Sequence, residues 1–474
     1  MAVPVLFLSI SHCFLADRTH IFEKFTRHFS NFEFRFLIGI TVVGCLFTIR
    51  NVLPTGRRRS NSSSASSIRW PFLPRVQSDE FKGWLQIYVL VYRYTHASEI
   101  LDLYEVHRVF LAFYLFLSGY GHAMYLLQRR DYSLHRVAAV LIRLNLLAIS
   151  LSFLMDRPYS LYYFAPLVSF WFLVTYYTLR VAEHKNASLQ YMIAKLVVSA
   201  ILVTCFIHVK GILEMGVYIL STACRMDISV ADWRFHLGMD KYIVYMGVLA
   251  ATINIRVSSI LDTPPPRPKR LLRVINSHLG LIRTIFVFVA LLIIPTFWTL
   301  TRRSPDEEDY NWWMPYISWL PILSFVVLRN VTQFLRSHHC AAFAWIGRKS
   351  LEIYLLSHHI WLAGDGQGLL RIGFRGDGSL VRDRWRDLLA FTAILGWVAG
   401  HVEVATRTIT AGIVEVPVSE NAVYYVKDRL PIAIGQQETR PNVFTNPAIS
   451  AMPKSLPKRL MVIALVVWAC NWAV

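Results

Sequence analysis

The sequence predicts an all-α, polytopic integral membrane bundle of roughly ten to twelve transmembrane helices. Three observations predict it. The 474 residues are 55% hydrophobic and only 17% charged, and the mean hydropathy is +0.41. That balance belongs to polytopic membrane proteins rather than to soluble domains. Apolar segments long enough to cross the hydrocarbon, about 20 residues each, recur along the chain. The net charge of +19 does not call for a nucleic acid, because the arginines and lysines collect in alternate loops, as they do in the cytosolic loops of membrane proteins.

Residues 1–35 are expected to be an N-terminal luminal segment. Their opening, MAVPVLFLSISHCFLA, is apolar but lacks the basic start and cleavage site of a signal peptide, so it is given no element. A first transmembrane helix is expected over 36–52, followed by an Arg/Ser-rich cytosolic linker over 53–78 whose RRRSNSSSASS predicts flexibility. The multi-pass core, 79–403, holds candidate spans at 82–97, 106–127, 137–154, 160–180, 190–210, 241–258, 281–300, 315–329, 347–363 and 387–403, with 211–222 as a short re-entrant or interfacial piece. The proline-rich tract 404–458 reads as an extended loop, and 459–474 as a C-terminal transmembrane helix.

The loops carrying Arg57 to Arg59, then Arg129, Arg130 and Arg136, then Arg267 to Arg273, then Arg336 to Lys349 are basic. Those carrying Glu99, Asp102 and Glu105, then Asp227, Asp232 and Asp240, then Asp306 to Asp309 are acidic or mixed. The two sets alternate along the spans, which makes the basic set cytosolic, the acidic set luminal and the N-terminus luminal. The cysteines at 13, 45, 205, 224, 340 and 470 have neither disulfide nor metal-ligand spacing. No phosphate-binding loop, zinc cluster or nucleophile elbow is present, and GDGQG and RGDG read as turns.

The informative residues are polar groups inside the spans: Arg93, Arg108, His122, Arg143, Asn145, Glu352, His358 and His359, with Lys82, Lys195 and Lys349 at the edges. A charge at the bilayer centre costs about 2.5–3.5 kcal/mol on the most lenient scale, so such groups face the bundle interior and mark function. The edge lysines have a simpler reading as snorkelling anchors, and Arg108 shares it. Glu352 and His359 are two helical turns apart and share a face, so His359 is placed in a reaction cavity with Glu352 as its support. His358, about 100° around the helix, points elsewhere and is expected to pack on a neighbour or reach a backbone carbonyl.

With these residues in view, the stretches DEFKGWLQIYVLVYRYTHAS, RVFLAFYLFLSGYGHAMY, RLNLLAISLSFLMDRPYSLYYFAPLVSFWFL and IGRKSLEIYLLSHHIWLAGDGQG resemble the ten-transmembrane acyltransferase family. That family includes animal sialate O-acetyltransferase, fungal capsule polysaccharide O-acetylation proteins and plant reduced-wall-acetylation proteins, and the likeness is strongest to the fungal members. The resemblance implies a membrane O-acyltransferase that moves acetyl from cytosolic acetyl-CoA to hydroxyls of a glycan or polysaccharide in the Golgi or another secretory compartment. No metal and no nucleic acid are expected, since the sequence lacks a metal-ligand cluster and its basic residues collect in the loops. Family members commonly carry a luminal hydrolase-like domain before the membrane core; here the expectation is that a separate luminal hydrolase-like acetyltransferase supplies that chemistry, or that the chain is a membrane-only member, or that it is a truncated gene product. Two departures stand out. Where the family usually has a histidine this chain has Arg93, which cannot act as a general base. Where the family has glutamine and an aromatic before its histidine, this chain has Ser357 and His358.

On this reading His359, Glu352, Arg93, Arg143 and Asn145 are the catalytic set. Arg129, Arg130, Arg136, Lys195, Arg348 and Lys349 hold the phosphates of the donor. Arg108, Tyr162, Tyr163 and Trp361 meet the acceptor. A non-catalytic homologue, acting as an acyl or substrate transporter or as an accessory subunit of an active acetyltransferase, fits the same buried polar residues.

Overall fold

The computed structural model describes residues 2–19, 21–51, 72–224, 228–262, 278–363, 368–372, 380–414, 453 and 455–473. Arg57 to Arg59, Asp227, Arg267 to Arg273, the RGDG turn and nearly all of GDGQG lie outside them. The chain is an all-α bundle. Its helices are α1 (Ala2–Arg18), α2 (Asn31–Leu46), α3 (Arg75–Tyr94), α4 (Leu101–Arg129), α5 (Leu134–Met155), α6 (Phe164–Arg180), α7 (Leu189–His208), α8 (Ile212–Cys224), α9 (Val230–Met239) and α10 (Ile243–Asp262). They continue with α11 (Leu279–Thr301), α12 (Glu307–Ile317), α13 (Trp319–Arg329), α14 (Gln333–Ser337), α15 (Ala341–Arg348), α16 (Ser350–Ile360), α17 (Leu380–Val414) and α18 (Leu456–Ala473). Among the described residues six helices are long and apolar enough to cross a membrane, so the protein is a multi-pass membrane protein. Most apolar side chains of α11, such as Leu281, Phe286, Phe288 and Leu292, are exposed, as a lipid-facing surface requires.

Several elements differ from expectation. The segment left without an element is α1, whose Leu6, Ile10, Cys13 and Asp17 recur at helical spacing and are buried. It packs against α17, α16 and α5. Arg18 bonds Asp156 at the far end of α5 at 2.8 Å. The segment 315–329 is two helices meeting at Ser318, and 347–363 is likewise two, breaking at Lys349. The expected loop from 404 begins late, because α17 runs on to Val414. No proline or glycine pair interrupts it there, and the Thr406 and Thr410 hydroxyls bond carbonyls one turn back.

Two short antiparallel ribbons pin the ends of α2. Strand β1 (Glu23–Thr26) pairs with β4 (Gly368–Arg371), and β2 (Ile49–Asn51) pairs with β3 (His338–Cys340). The tightest crossing joins α3 to α15. A Cβ at Gly83 would lie 1.8 Å from the Phe343 carbonyl oxygen, and one at Gly347 would lie 1.8 Å from that of Asp79. Only glycine lets the two backbones approach so closely, and this contact sets where α16 begins.

Replacing Gly83 with alanine should therefore lower stability by about 3 kcal/mol or more. Gly39→Ala, whose Cβ would meet nothing within 4 Å, should be neutral or stabilising by up to about 1 kcal/mol. Thermal unfolding of the two variants in detergent checks the contrast.

Candidate active site

Helix α16 is the spine of the site. Ten of its residues, Ser350 and Glu352 through Ile360, are buried, so its polar side chains must all find partners within the protein. They do so in steps along its length, with Glu352 Oε2 alone left without a hydrogen-bond partner. Ser350 bonds the Tyr114 hydroxyl at 2.9 Å. Glu352, with no exposed side-chain surface, pairs with Arg143 on α5 and lies 3.5 Å from the Thr406 hydroxyl on α17. The Tyr354 hydroxyl accepts from Arg93 at 3.0 Å, and His358 meets the same guanidinium through Nε2.

His359 stands at the end of this series. Its Nδ1 lies 3.1 Å from Asp17 Oδ2 and its Nε2 lies 2.5 Å from the Tyr162 hydroxyl, and both His359 and Asp17 are wholly buried. An ionised carboxylate only accepts, so Nδ1 carries the imidazole proton and Nε2 presents its lone pair to the Tyr162 O–H. Lys24, on β1, lies 3.7 Å from Asp17 Oδ1 and provides a counter-charge. The order carboxylate, imidazole, hydroxyl is the one in which an oriented histidine acts as a general base.

The structure separates the residues grouped by sequence into several clusters. His359 and Tyr162 meet directly, and Asp17 joins them. Arg93 is not beside His359 but on His358, which packs edge-on against Tyr354 and Tyr162 as expected of it and also meets the guanidinium. Arg143 and Glu352 form a buried ion pair. Asn145 belongs to a separate network, donating to Ser169 Oγ at 2.8 Å and accepting from the Tyr159 hydroxyl at 2.6 Å. Arg108 does not snorkel: it is buried, 3.7 Å from Asp240. Tyr163 stacks on His236 at 4.2 Å, and Trp361 packs edge-on against Tyr94 at 5.6 Å.

The basic residues assigned to the donor lie at the basic-loop ends of their helices. Arg129, Arg130 and Arg348 are exposed. Arg136 sits 3.9 Å over the Tyr125 ring, Lys195 bonds Asn186 at 2.7 Å, and Lys349 sits 4.3 Å over Trp345. Among the described residues no group of three or more His, Cys, Asp or Glu could hold a metal ion.

Asp17, Lys24 and Tyr354 escaped the reading of the sequence. Asp17 left one signal, as the first acidic residue after an apolar run of otherwise uncharged residues.

Residues 1–424 match the family described as the 10 TM acyl transferase domain found in Cas1p. The N-acetylneuraminate (7)9-O-acetyltransferase of Danio rerio is 32% identical over 383 residues, which cover 78% of this chain. They cover 46% of that protein, so the chain spans less than half the length of this curated relative. No solved structure matches. A family match that takes in α1 through α17, together with a relative of this identity, establishes that the chain belongs to the ten-transmembrane acyltransferase family.

Proposed function

We propose that this chain is the membrane core of an O-acetyltransferase that passes acetyl from acetyl-CoA to a hydroxyl of a glycan in the secretory pathway. The observation that carries the reading is the buried Asp17–His359–Tyr162 chain. The family supports acyl transfer, and the fish relative's name supports a sugar acceptor. In this mechanism Asp17 holds the imidazole in the tautomer that leaves Nε2 basic. Tyr162 gives its proton to Nε2 as it takes one from the acceptor hydroxyl. The acceptor oxygen attacks the thioester carbonyl, the carbon–sulfur bond breaks, and the proton on His359 returns through Tyr162 to the coenzyme A thiolate. Arg93, fixed by His358 and Tyr354, steadies the oxyanion that forms on the carbonyl oxygen.

The donor is taken to dock on the basic-loop side, through Arg129, Arg130, Arg136, Lys195, Arg348 and Lys349, which we read as cytosolic. Glu352 and Arg143 mark the polar route from that side towards His359. The position of α1 supports a different N-terminus from the luminal one. Its Asp17 end lies with His359 and Asp156, at the acidic-loop end, and its 17 residues rise about 26 Å, which points Ala2 to the basic-loop side. A Golgi membrane, a polysaccharide acceptor, a fungal-type role and a separate luminal hydrolase-like partner complete this reading as proposals.

The test uses the protein in liposomes with labelled acetyl-CoA outside and glycan inside. His359→Ala should lower acetyl transfer by roughly 10²–10⁴-fold with its elution in gel filtration unchanged. Undiminished transfer by His359→Ala would refute the assignment, and label crossing without becoming attached to glycan would make the protein a transporter. The route also has a stability signature. Arg143→Met alone, which strands Glu352, should destabilise by about 3–5 kcal/mol, and adding Glu352→Leu should recover most of it, as read by thermal unfolding in detergent.

A further inference from the structure

Next to the His359 site lies a second buried polar cluster that the mechanism above does not use. Arg108 on α4 and Asp240, which follows α9, are 4% and 3% exposed. Their nearest atoms, Nη2 and Oδ2, are 3.7 Å apart, too far for a hydrogen bond. Arg108 Nε and Nη2, Asp240 Oδ1, and the Nδ1 atoms of His107 and His236 are all buried without a hydrogen-bond partner. Buried polar atoms are satisfied in the great majority of cases, so five such atoms on two adjacent residues of α4 and on two residues four apart around the end of α9 call for an occupant.

The walls of the cluster are shared with the reaction site. The His107 ring lies flat on Tyr92, with centroids 4.1 Å apart and planes within 4°, and the His236 ring lies flat on Tyr163 at 4.2 Å and 9°. Tyr92 is the chain neighbour of Arg93, and Tyr163 of Tyr162, so each pair of neighbours divides itself between the two places. The cluster therefore adjoins the same two chain segments that carry Arg93 and Tyr162.

The chemistry of the occupant follows from what is unmet. Arg108 can only donate and an ionised Asp240 can only accept. An anion would suit the first and be repelled by the second, and a cation the reverse. A hydroxyl serves both, accepting from the guanidinium while donating to the carboxylate. Several hydroxyls on a ring with an apolar face match two imidazoles and the Phe235 ring that lies 5.8 Å from Arg108.

We propose that this cluster is the acceptor subsite, where a pyranose is held by a hydroxyl bridging Arg108 and Asp240 and by further hydroxyls on His107 and His236. The inference rests on the acetyl-transfer reading for its meaning but not for its test, which reads binding directly. Saturation-transfer NMR and calorimetry are applied to the full chain in nanodiscs with two probes, N-acetylneuraminic acid and methyl β-glucopyranoside, which separate a carboxylated from a neutral ring. One or both should bind the native chain, and Asp240→Asn should weaken that binding by about 10–100-fold. His236→Gln, at a less buried position, should weaken it about 10-fold and guards against a misfolded Asp240 variant. Neither probe binding, or binding indifferent to both substitutions, overturns the proposal and leaves the cluster to ordered water. Binding that depends on Asp240 and His236 in a chain that transfers no acetyl would keep the subsite and refute the reaction. Loss of transfer in His359→Ala with sugar binding indifferent to Asp240→Asn would do the opposite.

Discussion

The structure turns on a carboxylate without water. Asp17 has no exposed side-chain surface, and an ionised group so placed is tolerated only where opposite charge and hydrogen bonds answer it. His359 and Lys24 answer it, and each answer constrains a different part of the fold. The bond to His359 fixes the rotation of α16 and the depth of α1 in the bundle. The approach of Lys24 ties in β1, and through its pairing with β4 the chain that leaves α16. Arg18, the next residue, closes α1 onto the end of α5. An apolar side chain at 17 would leave the rotation of α16 against α1 to packing alone.

Helix α16 converts that constraint into a site. It is short and almost wholly buried, and the glycine crossing of α3 and α15 fixes its start. Its polar residues therefore cannot move to find partners; the partners come to them from α1, α3, α4, α5, the turn before α6, and α17. The two adjacent histidines illustrate the result. One ring nitrogen of His358 meets a guanidinium, whereas His359 is bracketed by an acceptor and a donor, so one residue's rotation separates an imidazole that anchors an arginine from one arranged to move a proton.

Much of this was legible in the sequence, and what was not has a physical reason. The helices follow from apolar runs and periodicity, which are local properties. That Glu352 and His359 lie on one helix follows from their spacing, but the support expected of Glu352 comes from Asp17 while Glu352 pairs with Arg143; the exclusion of Arg93 as a base follows from its chemistry. Partners were hidden because they are distant in the chain. Asp17 is 342 positions from His359, and Arg93 is 265 from His358, and no local pattern encodes such a meeting. The same holds for Arg108: a lone arginine near the end of a span reads as an anchor until Asp240 is found beside it. Helix α1 went unassigned because its apolar run lacks the basic start and cleavage site of a signal peptide, although inside a bundle, with one stripe buried, its 17 residues suffice.

The most direct test of the account is whether Asp17 acts through His359. Acetyl transfer would be measured for Asp17→Asn, His359→Ala and the double variant, with folding checked by gel filtration. If Asp17 serves by orienting the imidazole, its substitution slows the native chain but adds little to the loss already caused by His359→Ala, because groups that act as a unit are not additive. Losses that add in full in the double variant would show that Asp17 and His359 work independently, and would contradict the account.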